Sequence, residues 1–379
     1  MFPKIALVPV WVMTLLVSVP LAAEIVTDGS AGAAATLNGP NFAIPQNLGT
    51  TVGNNLFHSF TSFNLEQNQT ATFSGADSLR NVISRVTGGN ASNIDGAIIS
   101  QLPNADFYFI NPYGIIFGPH STVDVKGGFH VSTAQQLVFD DGNSYNAAMP
   151  AGSSFTAAAP KAFGFLTPAQ PIQLNTGQLH VPTGASVNLA GGSITINNAV
   201  LALPQGNLRI YAQGNSATTV PISGTLPSGD GNITIQASSI SVSSNSGGNL
   251  ALSGGNVNIL GAALTNDNGT VDAAGGISIQ ANKLIVNQGM VATTAYAQGK
   301  AGDVIVHVSG DMQVINGSIL GSETKAKGQA GNVTVHAGAL TINGGYITSQ
   351  SGYDAPTATG NAGAISIVVT GAMQILNGG

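Results

Sequence analysis

From position 192 onward a short unit keeps returning: a small or polar pair led by glycine, then alternating β-branched residues. It reads Gly192-Ser193-Ile194-Thr195-Ile196, Gly231-Asn232-Ile233-Thr234-Ile235, Gly255-Asn256-Val257-Asn258-Ile259, Gly275-Gly276-Ile277-Ser278-Ile279, Gly302-Asp303-Val304-Ile305-Val306, Gly331-Asn332-Val333-Thr334-Val335 and Gly363-Ala364-Ile365-Ser366-Ile367. The steps between their first apolar residues are 39, 24, 20, 27, 29 and 32. A second series follows it, in Val286-Asn287, Ile315-Asn316, Ile342-Asn343 and Leu376-Asn377, with glycine within two residues of each Asn. Alternation with period 2 means strands that bury one face. Asn and Gly at a recurring place mean tight turns, because both tolerate left-handed backbone. Short strands and turns in units of irregular length, with no helical period, predict an all-β parallel β-helix whose coils stack about 4.8 Å apart. A β-sandwich is the alternative, but it does not require one motif to recur in one column.

Charge is scarce in a way that suits such stacking. Only 26 of 379 residues are charged, because like residues lie on like and a ladder of Lys or Glu would repel itself. Asn, Ser and Thr ladders hydrogen-bond instead. The ten Lys and Arg are scattered and the net charge is -6, which argues against nucleic acid or anionic lipid as a partner. There are no cysteines, so a disulfide framework and Cys-based metal or redox sites are excluded.

The start of the chain is an address. Lys4 precedes an apolar run from Ile5 to Leu21, and Leu21-Ala22-Ala23 offers small residues for cleavage, so residues 1–23 read as a secretory signal peptide cut after Ala23. The remainder has two compositions. All fourteen Phe lie at or before Phe165, and a stretch with Pro150, Pro160, Pro168 and Pro171 follows Asp140. Residues 24–170 are therefore expected to form one unit and 171–379 the repeats. The last unit, Met373-Gln374-Ile375-Leu376-Asn377-Gly378-Gly379, stops where another strand is due, so truncation is expected.

The aromatic half carries four blocks in order: Glu24-Ile25-Val26-Thr27-Asp28-Gly29-Ser30, Asn55-Leu56-Phe57-His58-Ser59-Phe60-Thr61-Ser62-Phe63-Asn64-Leu65, Val86-Thr87-Gly88-Gly89-Asn90-Ala91-Ser92-Asn93-Ile94-Asp95-Gly96 and Phe109-Ile110-Asn111-Pro112-Tyr113-Gly114-Ile115-Ile116-Phe117-Gly118. Together they resemble the secretion domain of two-partner-secreted exoproteins, the filamentous-haemagglutinin N-terminal domain; Tyr113 stands where that family commonly has Asn. The resemblance implies a right-handed β-helix with the secretion domain as its N-terminal cap. It implies a partner too: an outer-membrane transporter with periplasmic recognition modules that threads the chain outward, to the medium or the cell surface. It marks Asn55, His58, Phe60, Asn111, Pro112 and Gly114 as secretion-motif residues. Physically, Pro112 fixes φ and Gly114 closes a tight turn, so a structural role carries the same residues.

Other constellations point to little chemistry. His307 and His336 follow Val pairs at one repeat position, where Gln236, Gln280 and Val368 are the expected equivalents, so they read as a solvent-facing column and not as metal ligands. Asp140-Asp141 is the one adjacent acidic pair, in a Gly/Asn/Ser loop with no basic residue within a dozen positions. Neither a nucleophile elbow nor a phosphate-binding glycine loop is present. The expectation is a non-enzymatic exoprotein without cofactor or metal, adhesin-like by resemblance. Its receptor would lie on a host cell, a neighbouring cell or an extracellular polysaccharide. The alternatives are a carbohydrate-active β-helix enzyme and the delivery stalk of a contact-dependent toxin.

Overall fold

The computed structural model describes residues 25–175, 178–273, 275–352 and 357–379. The expected signal peptide, residues 1–23, lies outside them. The described chain is strand and turn, with two short 3-10 turns, Gln46–Leu48 and Pro150–Gly152, and no α-helix among the described residues. Strands return in parallel register coil after coil, so the molecule is the expected parallel β-helix.

Each coil presents three faces. The first face stacks Asn55–Phe63, Asn81–Val86, Asp106–Ile110, Phe129–Ser132, Ser186–Gly191 and Asn207–Ala212. The second stacks Ser92–Ile94, Ile115–Phe117, Ile172–Asn175, Ile194–Asn197 and Asn232–Gln236. The third is an 11-stranded sheet from Asn41–Pro45 to Tyr346–Ser351. At Asn249–Leu260 the first two faces fuse, and from there single strands of 11 or 12 residues, such as Ile277–Asn287 and Val304–Ile315, cross both.

The fusion corrects the repeat count. Ile194 pairs with Ile233 and Ile233 with Val257 on the second face, but Val257 pairs with Leu284, not Ile277. Ile277 belongs to the first face, between Leu250 and Val304. The step of 20 is thus a jump between faces, because either face accepts the same Gly-led alternating motif. The step of 39 has another cause, an insertion at the corner carrying Thr218–Pro221.

Two backbone devices keep the coils close. At the corner after the second face, left-handed residues recur: Asn198, Ala237, Gly261, Gln288, Asn316, Gly344 and Asn377, with φ between 47° and 61°. In the Asn287 and Asn343 units the residue after the Asn carries this conformation, in contrast to Asn316 and Asn377. At another corner glycines lie almost in backbone contact; a Cβ on Gly331 would fall 1.9 Å from the Gly302 carbonyl oxygen.

The aromatic half differs in having a cover. Gln136–Phe139, Ser144–Asn146, Pro160–Phe165 and Thr218–Pro221 form a four-stranded antiparallel sheet over the outer side of the first face. A second apolar core fills the space between, with Phe57, Ile83, Tyr108, Phe139, Phe163 and Tyr211. Phe60, Phe63, Phe73, Phe107 and Phe109 fill the interior of the first coils, ring against ring. The first face is therefore apolar on both sides there, and the last Phe, Phe165, lies in the Pro160–Phe165 strand of the cover. Its last strand lies well past the composition break near 170.

Candidate functional site

The six residues marked from sequence fall in two places. Asn55, His58 and Phe60 share one strand of the first coil, whereas Asn111, Pro112 and Gly114 turn the third coil from the first face to the second. The structure does not bring the two groups into one site.

Asn55 is buried and ties the helix to its cover. Its side-chain amide donates to the Thr156 and Ala158 carbonyls at 2.8 and 2.7 Å, and its oxygen accepts from Asn81 at 2.7 Å. Three positions on, and so on the opposite side of the strand, His58 points into the interior beside Phe60 and Phe73, and neither ring nitrogen has a hydrogen-bond partner. Burial pushes its pKa down from 6.5 to about 4. Phe60 is fully buried against Phe63 and Phe73.

Asn111 organises its turn. Its side-chain amide donates to the Asn90 carbonyl and the Ser92 hydroxyl, both at 3.0 Å, and its oxygen accepts from the Tyr113 N–H at 2.9 Å. The Gly114 N–H closes the turn onto the Asn111 carbonyl, and Gly114 has φ 117°, open to glycine alone at little cost. Pro112 is buried and Tyr113 projects to the surface. Every polar group of Asn111 is engaged within the fold.

The densest polar cluster was not foreseen. Arg85 is fully buried between helix and cover. Its guanidinium donates to Ser30 and Ser59 hydroxyls at 2.8 Å, to the Asn146 carbonyl at 2.6 Å and to the Ser153 hydroxyl. It lies 4.0 Å from the centre of the Tyr145 ring. Behind it, Asp28 accepts from Ser30, Ser59 and Thr87. Burial would raise the Asp28 carboxyl, but these hydrogen bonds together hold it below the ordinary range. Arg85 thus joins the N-terminal strand Ile25–Thr27, the first coils and the cover. The signal available in sequence was its placement between Ser84 and Val86 in an apolar strand of a chain poor in charge.

The remaining candidates resolve as structure. His307 and His336 pair in register and stack at 4.8 Å, with Gln280 and Val368 in the same column. Gln236 is not in it: it lies on the second face, paired with Leu260. No group of three or more His, Cys, Asp or Glu capable of holding a metal occurs among the described residues. Asp140 and Asp141 form the turn between the first two cover strands. Asp141 accepts from Asn143 and Thr156, and the fold brings Lys161 to 4.0 Å from Asp140 across the antiparallel pair.

The profile of the TPS (two-partner) secretion domain matches residues 23–225, more than half of the chain. The chain belongs to this family. The TPS match ends just beyond Thr218–Pro221, where the last cover strand closes. Among solved structures, the HMW1 secretion domain from Haemophilus influenzae superposes with a TM-score of 0.54 over 92% of this chain and 98% of that one, at 18% identity, a likeness of fold. Among characterised proteins, a heme/hemopexin-binding protein of Haemophilus influenzae is 33% identical over 82 residues. That segment is 22% of this chain, and it spans only 9% of the relative's length.

Proposed function

We propose that the chain is the export-competent part of a secreted, non-enzymatic exoprotein. A partner outer-membrane transporter with periplasmic recognition modules threads it outward, and the solenoid stacks outside the cell, where its bare faces serve adhesion. The observation that carries this reading is the TPS profile match over residues 23–225, a stretch that holds the N-terminal strand Ile25–Thr27 and all four strands of the cover. Nearest-neighbour stacking supports it physically, since each coil can form on the one before. The relative's name speaks of heme and hemopexin, but its short overlap with this chain supports no ligand here. Asp140 and Asp141, the carboxylates a carbohydrate-active enzyme would use, are spent on a turn.

Asn55, His58, Phe60, Asn111, Pro112 and Gly114 act in export, on this reading, by making the first coils foldable. Expression with and without the cognate transporter, followed by quantifying the chain in the medium and on the cell surface, tests this. Transporter-dependent export, reduced by Asn111→Ala in proportion to lost stability, is the expected result. Equal export without the transporter would overturn it.

A further inference from the structure

Where the cover ends, the first face comes into the open as a groove of about 920 Å³. Arg209 closes one end, its guanidinium donating to the carbonyls of Pro221, at 2.8 Å, and Gly224 in the loop that finishes the cover. The floor is the outer side of consecutive coils, and its side chains form columns. Asn249 donates to Asn207 at 2.9 Å; Ala251, Ser278 and Ile305 pair in one column, and Gln280 and His307 in the next. Ser278, Gln280, Ile305 and His307 are all exposed.

The charges in this groove are matched. Lys300 Nζ lies 3.5 Å from Asp303, and the Lys300 backbone N–H donates to Asp272 at 2.7 Å. Arg209 and Lys300 balance Asp272 and Asp303 in the lining, and its lack of net charge offers nothing to a polyanion such as nucleic acid or a sulfated chain. A peptide strand fits poorly too. The floor strands of the Asn249 and Ile277 coils are paired on both sides, so no free edge is available for strand addition. A peptide rising about 3.3 Å per residue also drifts against side-chain columns about 4.8 Å apart. An extended β-linked glycan has a rise per sugar close to the coil spacing. Its hydroxyls donate and accept, which suits the exposed Ser278 and His307 and the side-chain oxygens of Asn249 and Gln280. The amide nitrogens of Asn249 and Gln280 already donate, to Asn207 at 2.9 Å and Ser228 at 2.6 Å. The C–H faces of the glycan can rest on Ala251 and Ile305.

We propose that this groove binds an extended, uncharged polysaccharide laid along the solenoid axis, one sugar per coil. The proposal rests on the reading of the chain as extracellular, but its test does not involve export, so the two can fail separately. Purified residues 24–379 are run in native gels containing mixed-linkage β-glucan, galactomannan or, as the anionic control, polygalacturonate. Retarded migration with at least one neutral polymer is expected. Ser278→Trp, which fills the middle of the floor from an exposed position, abolishes it, and Gln280→Ala weakens retention about fivefold, as loss of a hydrogen bond or two would. If Ser278→Trp fails to fold, as judged by circular dichroism, Gln280→Ala decides alone. Unchanged mobility with both neutral polymers, retardation by polygalacturonate only, or retention indifferent to the folded variants would each overturn the proposal.

Discussion

At the residue scale, His58 is the most consequential single side chain for conditions. Its ring meets Phe60, Phe73, Ser84 on the adjacent strand and the Gly49 backbone, none of them charged. Asp28 and Arg85 lie on the other side of the strand with Ser59. The folded state therefore holds the imidazole neutral to about pH 4, whereas the unfolded chain protonates it near 6.5. Between those values the unfolded state binds more protons, so stability is fully present above 6.5 and falls as pH drops toward 4. The loss amounts to about 3 kcal/mol. Urea unfolding at several pH values should show this slope in the natural chain and a shallower one in His58→Leu; identical slopes would refute it. Asn111, by contrast, contributes geometry without titrating.

At the scale of elements, the cover is the feature that separates the first half from a plain solenoid. Its contact with the first face is mainly apolar, crossed by hydrogen bonds from Asn55, Tyr145 and Arg209 and by the Arg85 cluster, where one guanidinium serves both the N-terminal segment and the cover. Burying that charge with some partners missing is costly, so the cover and the N-terminal strand should close together. Ser30→Ala and Ser153→Ala each remove one partner and should cost about 1 kcal/mol alone. Combined, they should depart from additivity by about 1 kcal/mol, because both act through the same fork. In an Arg85→Met background the departure should vanish. A urea-unfolding cycle reads both, and additive costs with Arg85 present would mean that it does not couple the two elements.

At the scale of the whole molecule, stability comes from ladders of Ile, Val, Leu and Phe running the length of the interior, joined by backbone hydrogen bonds between coils. Of the Lys–carboxylate pairs among the described residues, Lys126 with Asp124, Lys161 with Asp140 and Lys300 with Asp303 are surface pairs, and Lys325 with Glu323 is partly buried. Surface pairs contribute little and are screened by salt. The urea midpoint should accordingly stay nearly constant between 50 mM and 500 mM sodium chloride, on the order of the surface-pair energies at most. A marked fall with salt would mean that charge networks, not ladders, hold the coils.

The local grammar was legible in the amino-acid sequence. Alternating Ile and Val give half-buried strands, Gly and Asn give turns, and low charge permits stacking, since each follows from the residue's own shape and polarity. The family blocks were legible for the same reason, being contiguous. Which face each motif occupies was not, because Gly255-Asn256-Val257 and Gly275-Gly276-Ile277 look alike and only pairing with the neighbouring coil distinguishes them. Nor was the cover visible: its strands lie up to 85 positions apart, Gln136 to Pro221, and pair across insertions at the corners. The Arg85 cluster and the Asp140–Lys161 approach were hidden likewise, since their partners come from segments distant in the chain. Side-chain chemistry sets what a strand can bury, but contacts between distant strands exist only once the coils have stacked.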